Sequence, residues 1–217
     1  MKTPSEQRRQ PCQARAQMKV ALIFEATLRI LEQEGEAALN TNRIAAVAGI
    51  SIGTLYQYFP DKDAVLVALV QEEISRCCDA IRAGFAQLPA SARYGDGQRA
   101  DVLVRVLLGA FGGKVGARRE LVRALQARQL SLAFDQYIIE QLHGILPSLP
   151  LPKAVLAILI RSLLHTVDAT LLHDETMLQR PGLKLALIKT VQSLTREGMG
   201  LGMPTARVRG RQPSLTA

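Results

Sequence analysis

The chain has 217 residues and a formal net charge of +8, with a pI near 9.8. This length suits one ordinary domain with a smaller one attached, and the charge suits a polyanionic partner. Hydrophobic residues make up 48%, which excludes global disorder, and aromatics only 4%; a chain rich in Ala and Leu favours helices, because these side chains lose little on entering one.

The basic excess sits partly at the ends. Residues 1–19 carry Lys2, Arg8, Arg9, Arg15 and Lys19 against Glu6, residues 20–80 are net acidic, and Arg207, Arg209 and Arg211 lie near the C-terminus. Global charge therefore supports nucleic-acid binding only weakly. Cysteines number three, with Cys77 and Cys78 adjacent, and form no disulfide framework. No apolar run approaches the roughly 20 residues that span a bilayer, and the polar N-terminus lacks an apolar signal region. A cytoplasmic protein with no membrane association is expected.

Residues 1–16 are polar, basic and Pro-containing, and read as a flexible arm. Val20, Ile23, Phe24, Leu28, Ile30 and Leu31 recur at helical spacing and predict a helix over 17–34, ended by Gly35. Thr41 suits the cap of a short helix over 42–48, Gly49 a left-handed turn, and Ser51 the cap of a helix over 52–59. Pro60 stops that helix and Asp61 caps a fourth, to about 88. Residues 89–97 form a breaker-rich loop; helices follow over 98–111, 117–129 and 131–145, with a break at Pro147, Pro150 and Pro152. A very apolar helix spans 153–173, a loop surrounds Pro181 and Gly182, and a last helix spans 183–197 before a disordered tail, 198–217. No strand pattern or repeat is visible, so the fold class is all-α.

The informative stretch is 41–62, TNRIAAVAGISIGTLYQYFPDK. Two short helices flanking a tight turn at Ala48-Gly49-Ile50-Ser51 are a helix-turn-helix, whose second helix can enter the major groove. Ile44, Ala45, Val47, Ala48, Ile50 and Leu55 supply the small apolar contacts that fix the crossing. The second helix offers Ser51, Thr54, Tyr56, Gln57 and Tyr58 within two turns, the density of hydroxyls and amides that phosphate and base-edge contacts require. Gly53 costs about 1 kcal/mol relative to Ala inside a helix, which points to close approach of the backbone to a partner.

On these residues the segment 20–70 resembles the N-terminal domain of the TetR family of bacterial regulators. The resemblance is carried by Ile44-Ala45, Ala48-Gly49-Ile50-Ser51, Gly53-Thr54-Leu55-Tyr56, Tyr58-Phe59 and Lys62, and ends near residue 75. It implies a three-helix DNA-binding head (17–62) on a larger helical body for ligand binding and dimerisation (63–197). Ile52 departs from the pattern, standing where many members have a basic or polar residue, which leaves fewer charged contacts to an operator.

Each head residue has a functional and a plainer role. Thr41 donates to a phosphate, caps its helix, or does both; Ser51 caps. Thr54 and Gln57 read base edges, since Gln pairs bidentately with adenine, or are ordinary exposed polar residues. Tyr56 and Tyr58 reach phosphate or sugar, or one ring packs between head and fourth helix. Lys62 shares a phosphate with the free N–H groups of its helix N-terminus, or is simply solvated. Arg8, Arg9 and Arg15 enter a minor groove or stay in a solvated tail.

Enzyme signatures fail on context. Gly49-Ile50-Ser51-Ile52-Gly53, with Asp168 and His173 downstream, matches a nucleophile elbow, but that elbow needs a strand before its Ser. Gly113-Lys114 lacks the rest of a phosphate loop, and no Cys or His pair has zinc-site spacing. No catalytic residue, cofactor or metal is expected. The Cys77–Cys78 pair is either a redox or soft-metal sensor or two buried thiols.

In the body, helix 153–173 is apolar on more than one face and needs cover on several sides. Leu156, Leu159, Leu163 and Val167, with Leu187, Val191 and Leu194 of the last helix, are the expected contacts of a two-fold four-helix interface in a homodimer. Such a dimer sets two recognition helices about 34–36 Å apart, or a multiple, on a near-palindromic double-stranded operator. Phe111, Phe134, Arg161, His165 and Asp168 are the candidate pocket for a small-molecule effector, the polar trio being either ligand-facing or a solvated stripe. Arg118, Arg119, Arg123 and Arg128 either attract an anionic effector or form a solvated basic face. The expected function is a repressor released from its operator by a small hydrophobic ligand; an activator or co-regulator on the same fold, and more remotely an interaction module or enzyme, are the alternatives.

Overall fold

The computed structural model describes residues 4–89, 97–145 and 152–201. Most of the expected 89–97 loop, Pro147 and Pro150, and the tail beyond Leu201 lie outside the described residues.

The apolar stripe Ile23, Ala26, Ile30 and Leu31 buries one face of the first helix, α1 (Pro4–Gln33). This helix starts at Pro4, well before residue 17, so the expected flexible arm is helical from Pro4 onward. Proline is tolerated in a first turn, as at Pro4, and the Gln, Arg and Ala that follow are good helix formers, which offset the roughly 3 kcal/mol cost of Pro11 inside the helix. A 3-10 turn, Glu36–Ala38, leads to α2 (Thr41–Ala48), α3 (Ile52–Tyr56) and the long α4 (Lys62–Ala86). The body adds α5 (Gln98–Leu108), α6 (Val115–Ala127), α7 (Ser131–Ile145), α8 (Lys153–His173) and α9 (Pro181–Leu201). Among the described residues there is no strand. Helix α9 begins at Pro181 because proline is preorganised for the first helical position, so the loop expected at Pro181-Gly182 belongs to the helix.

Helix α5 stops three residues short of expectation. Phe111, Gly112 and Gly113, with φ of 59°, 62° and 75°, run left-handed inside a 3-10 segment, Ala110–Gly113. Two of the three are glycines and bear this at little cost; Phe111 is strained. The carboxylate of Glu73 on α4 accepts the Phe111 N–H and holds it there.

One buried cluster runs from the head (Ile23, Ile44, Leu55) into the body (Leu121, Ile139, Leu156), crossing the boundary expected at residues 62 and 63. A second joins α5, α8 and α9 through Val104, Leu163, Val167 and Leu187. Helix α8 is long and apolar enough, by length and composition, to cross a bilayer; here it is a core helix, with Leu156, Leu159, Ile160, Leu163, Val167 and Leu171 buried in the chain. Polar contacts reinforce the head–body junction. Glu32 of α1 accepts the Ala117 N–H at the start of α6, where a carboxylate also suits the helix dipole. Lys114 pairs with Glu25 at 2.7 Å, and Arg128 bridges Glu36 at 2.9 Å and Asp63 at 2.8 Å.

Candidate functional site

The cap of α2 is Asn40, not Thr41: Asn40 is extended, and its side chain accepts the Arg43 N–H at 2.9 Å. Thr41 is thereby the first helical residue, and its Oγ1 lies 3.2 Å from the Tyr56 hydroxyl. Gly49 takes the left-handed conformation (φ 67°, ψ 31°) and closes α2. Ile44, Ala45 and Leu55 are buried at the crossing of α2 and α3. Ser51 caps α3, accepting the Thr54 N–H at 3.0 Å, and its hydroxyl lies 2.8 Å from the Thr54 hydroxyl. The segment before Ser51 is thus helix and turn, not the strand a nucleophile elbow requires.

Helix α3 is shorter than its expected span, ending at Tyr56. Phe59 turns inward and its ring meets Phe24 at 5.9 Å. Tyr58 is half-buried against the core, the packing role weighed for one of the two tyrosines, whereas Tyr56 is exposed. Gln57 is exposed at the end of α3. Lys62, half-buried, lies 3.4 Å from Glu36, which Arg128 also holds, so its charge is partly offset inside the protein. Asp61 caps α4 through the Ala64 N–H at 2.7 Å. A Cβ built on Gly53 would meet only Ser51 Oγ, at 3.9 Å. Nothing inside the protein requires glycine there.

Residues 23–69 match the family model described as bacterial regulatory proteins, tetR family. The chain is 32% identical over 108 residues to the HTH-type transcriptional regulator EthR of Mycolicibacterium smegmatis, covering 49% of this chain and 48% of that one. It is 39% identical over 54 residues to the HTH-type transcriptional repressor KstR of Mycobacterium tuberculosis, covering 25% of this chain and 24% of the other. The chain thus spans about half or less of the length of these relatives. A crystal structure of a TetR-family transcriptional regulator from Streptomyces coelicolor superposes with a TM-score of 0.58 at 18% identity, covering 85% of this chain and 99% of that one, which extends the shared fold to the body. Residues 23–69 thus form a head similar to that of the TetR family, and the body shares the fold of the solved TetR-family structure.

In the body a cavity of about 200 Å³ lies among α4 to α9, walled mainly by apolar residues such as Val70, Ile74, Leu103 and Leu121. Phe111, Phe134 and Asp168, three of the five candidate pocket residues, line it. Arg161 and His165 do not: they stand on the exposed side of α8, where His165 Nε2 lies 3.0 Å from Asp135 and Arg161 3.9 Å from it. Sequence reasoning missed three charged residues in the wall, Glu73, Arg99 and Asp135; Arg118, one of the four arginines weighed for an anionic effector, lines it too. Glu73 is buried and committed: Arg76 donates to it at 2.6 and 2.9 Å, and the Phe111 N–H and Cys77 thiol also reach it. Arg118 is only 6% exposed, and its Nη1 donates to the Leu107 carbonyl at 2.7 Å. Burial pulls the Arg118 pKa down and pushes the Asp168 carboxyl up. Burial, helped by Glu73, pushes the Cys77 thiol up to about 12, and burial raises Cys78 as well. Both thiols are held away from the reactive thiolate that a sensor needs.

The residues expected at a two-fold interface are already covered within the single chain. Leu156, Leu159, Leu163, Val167, Leu187 and Val191 are buried within the chain, and Leu194 packs half-buried against the same core. Among the described residues, the large apolar side chains that α8 and α9 leave outward are Ile158, 57% exposed, and Leu185, 53% exposed.

Proposed function

We propose that the protein is a sequence-specific, double-stranded-DNA-binding transcriptional regulator, acting as a homodimeric repressor that a small, mainly apolar effector releases from a near-palindromic operator. One observation carries the DNA reading: an exposed glycine, Gly53, sits in a short helix where no protein atom requires it, beside the hydroxyls of Ser51, Thr54, Tyr56 and Thr41. A phosphate or base edge is what makes such a backbone worth leaving bare. Gln57 and Lys62 extend this contact surface, and the naming of relatives such as KstR as repressors favours repression.

For release, the cavity wall contains Glu73 and Val70 of α4, the helix whose N-terminus carries Lys62. A ligand that prefers one position of α4 thereby shifts the head, and only such a preference can couple the two sites. Pairing of subunits is assigned to the outward faces of α8 and α9 around Ile158 and Leu185. Selection of bound duplexes from a random pool, followed by anisotropy titrations and sedimentation of the complex, tests the reading. A dimer on a two-fold-related site is expected. A monomer that prefers no duplex at low salt would overturn it.

A further inference from the structure

We infer that the cavity takes an apolar molecule bearing one acidic head group, and that Arg118 holds that group's negative charge. The inference rests on the effector reading above and names the class of molecule.

Arg118 has five N–H donors, one of them on the Leu107 carbonyl, and among the described residues no carboxylate lies within ion-pair distance of its guanidinium. A buried charge without a counter-ion is costly to keep. This one lies in the wall of a cavity otherwise built mainly from hydrocarbon. An anion arriving from outside would complete it, with charge-assisted hydrogen bonds of the strong, bidentate kind that guanidinium favours.

The other charges of the wall leave that task to Arg118. Arg99 lies over the Phe85 ring, 5.1 Å from its centre. Glu73 is occupied by Arg76, the Phe111 N–H and Cys77. Asp135 is held from the outer side by His165 at 3.0 Å. Asp168 is the acid whose field reaches Arg118 most strongly. Burial raises its own pKa, weakening it as a counter-ion, and its protonated form would itself donate to an anion. A cationic guest finds a repelling guanidinium and, in Glu73 and Asp135, carboxylates already engaged. About 200 Å³ is room for roughly seven waters at ~30 Å³ each, which sets the scale at a chain of about that many methylenes.

The test uses the full chain and three probes of one length: octanoate, 1-octanol and octylamine, followed by calorimetry and thermal shift. Octanoate is expected to bind at least tenfold more tightly than octanol, and octylamine more weakly than either. In Arg118→Met, octanoate is expected to lose at least tenfold while octanol binds undiminished, which shows the cavity still formed. The ranking of the three probes on the parent protein stands even if the variant does not fold. Octanoate binding no better than octanol, octanoate binding indifferent to Arg118→Met, or no binding of any probe would overturn the inference. Duplex binding by the ligand-free protein is measured in parallel: if it persists when the octanoate ranking fails, the DNA reading survives and only the ligand class is lost.

Discussion

Thr41 Oγ1 and the Tyr56 hydroxyl lie 3.2 Å apart, so the first residue of α2 is tied to the last residue of α3. Tyr56 is exposed, so this pair adds little to stability. Its value is in fixing two hydroxyls against each other on the surface assigned to DNA. Tyr56→Phe should change unfolding free energy by less than about 0.5 kcal/mol and weaken duplex binding by roughly tenfold, the loss of one hydrogen bond to a charged group. Denaturant titration and anisotropy on the same preparations check this; a large stability loss with intact DNA binding would make the pair structural.

Two helical glycines should respond oppositely to alanine. At Gly53 the space is open, so Gly53→Ala should stabilise the protein by up to about 1 kcal/mol through helix propensity alone. The added methyl would meet DNA, and affinity should fall. At Gly84 a Cβ would lie 2.7 Å from Val102 Cγ1, where α4 and α5 touch, so Gly84→Ala should destabilise by about 1–3 kcal/mol. Thermal unfolding of the two variants would expose a wrong sign at either site.

Glu36 links the head to Arg128, whose hydrogen bond, with the charge of Lys62, holds the carboxyl below its ordinary value of 4.5. A lowered folded-state pKa stabilises fully above the unfolded value, and the contribution disappears as pH falls through the folded value. The group is largely solvated, so the effect should stay under about 1 kcal/mol. Glu36→Gln should therefore be slightly less stable than the parent at neutral pH, and the two stability curves should merge in acid. A gap that widened toward low pH would contradict the assignment.

Cys77, pushed up to about 12 from 9.0, carries roughly a thousandfold less thiolate at pH 8 than an ordinary cysteine. Alkylation by iodoacetamide should be correspondingly slow in the native protein and fast in urea, as read by mass spectrometry of the Cys77–Cys78 peptide. Comparable rates in the two states would revive the sensor reading.

The turn chemistry of the head was legible because each signal has one local cause: Gly49 for a left-handed residue, Ser51 and Asp61 for caps. Asn40 and Thr41 defeat that logic, since both are capping types and only packing decides which one leaves the helix. In α8 periodicity fails for another reason. A helix apolar nearly all round has no polar face to orient it, so Arg161 and His165 looked as able to face inward as Asp168, and core leucines looked free to meet a partner. Arg118 did leave a trace. It stands three residues before Leu121, on the stripe Ala117, Leu121, Ala124 that turns inward, whereas Arg119 beside it does not.

The burial of Leu159, Leu163, Val167 and Leu187 inside a single subunit has a consequence for biogenesis. A newly made chain can complete its hydrophobic interior without a second copy, so acquiring structure does not wait on association. The unfolding midpoint should then stay constant as the protein is diluted.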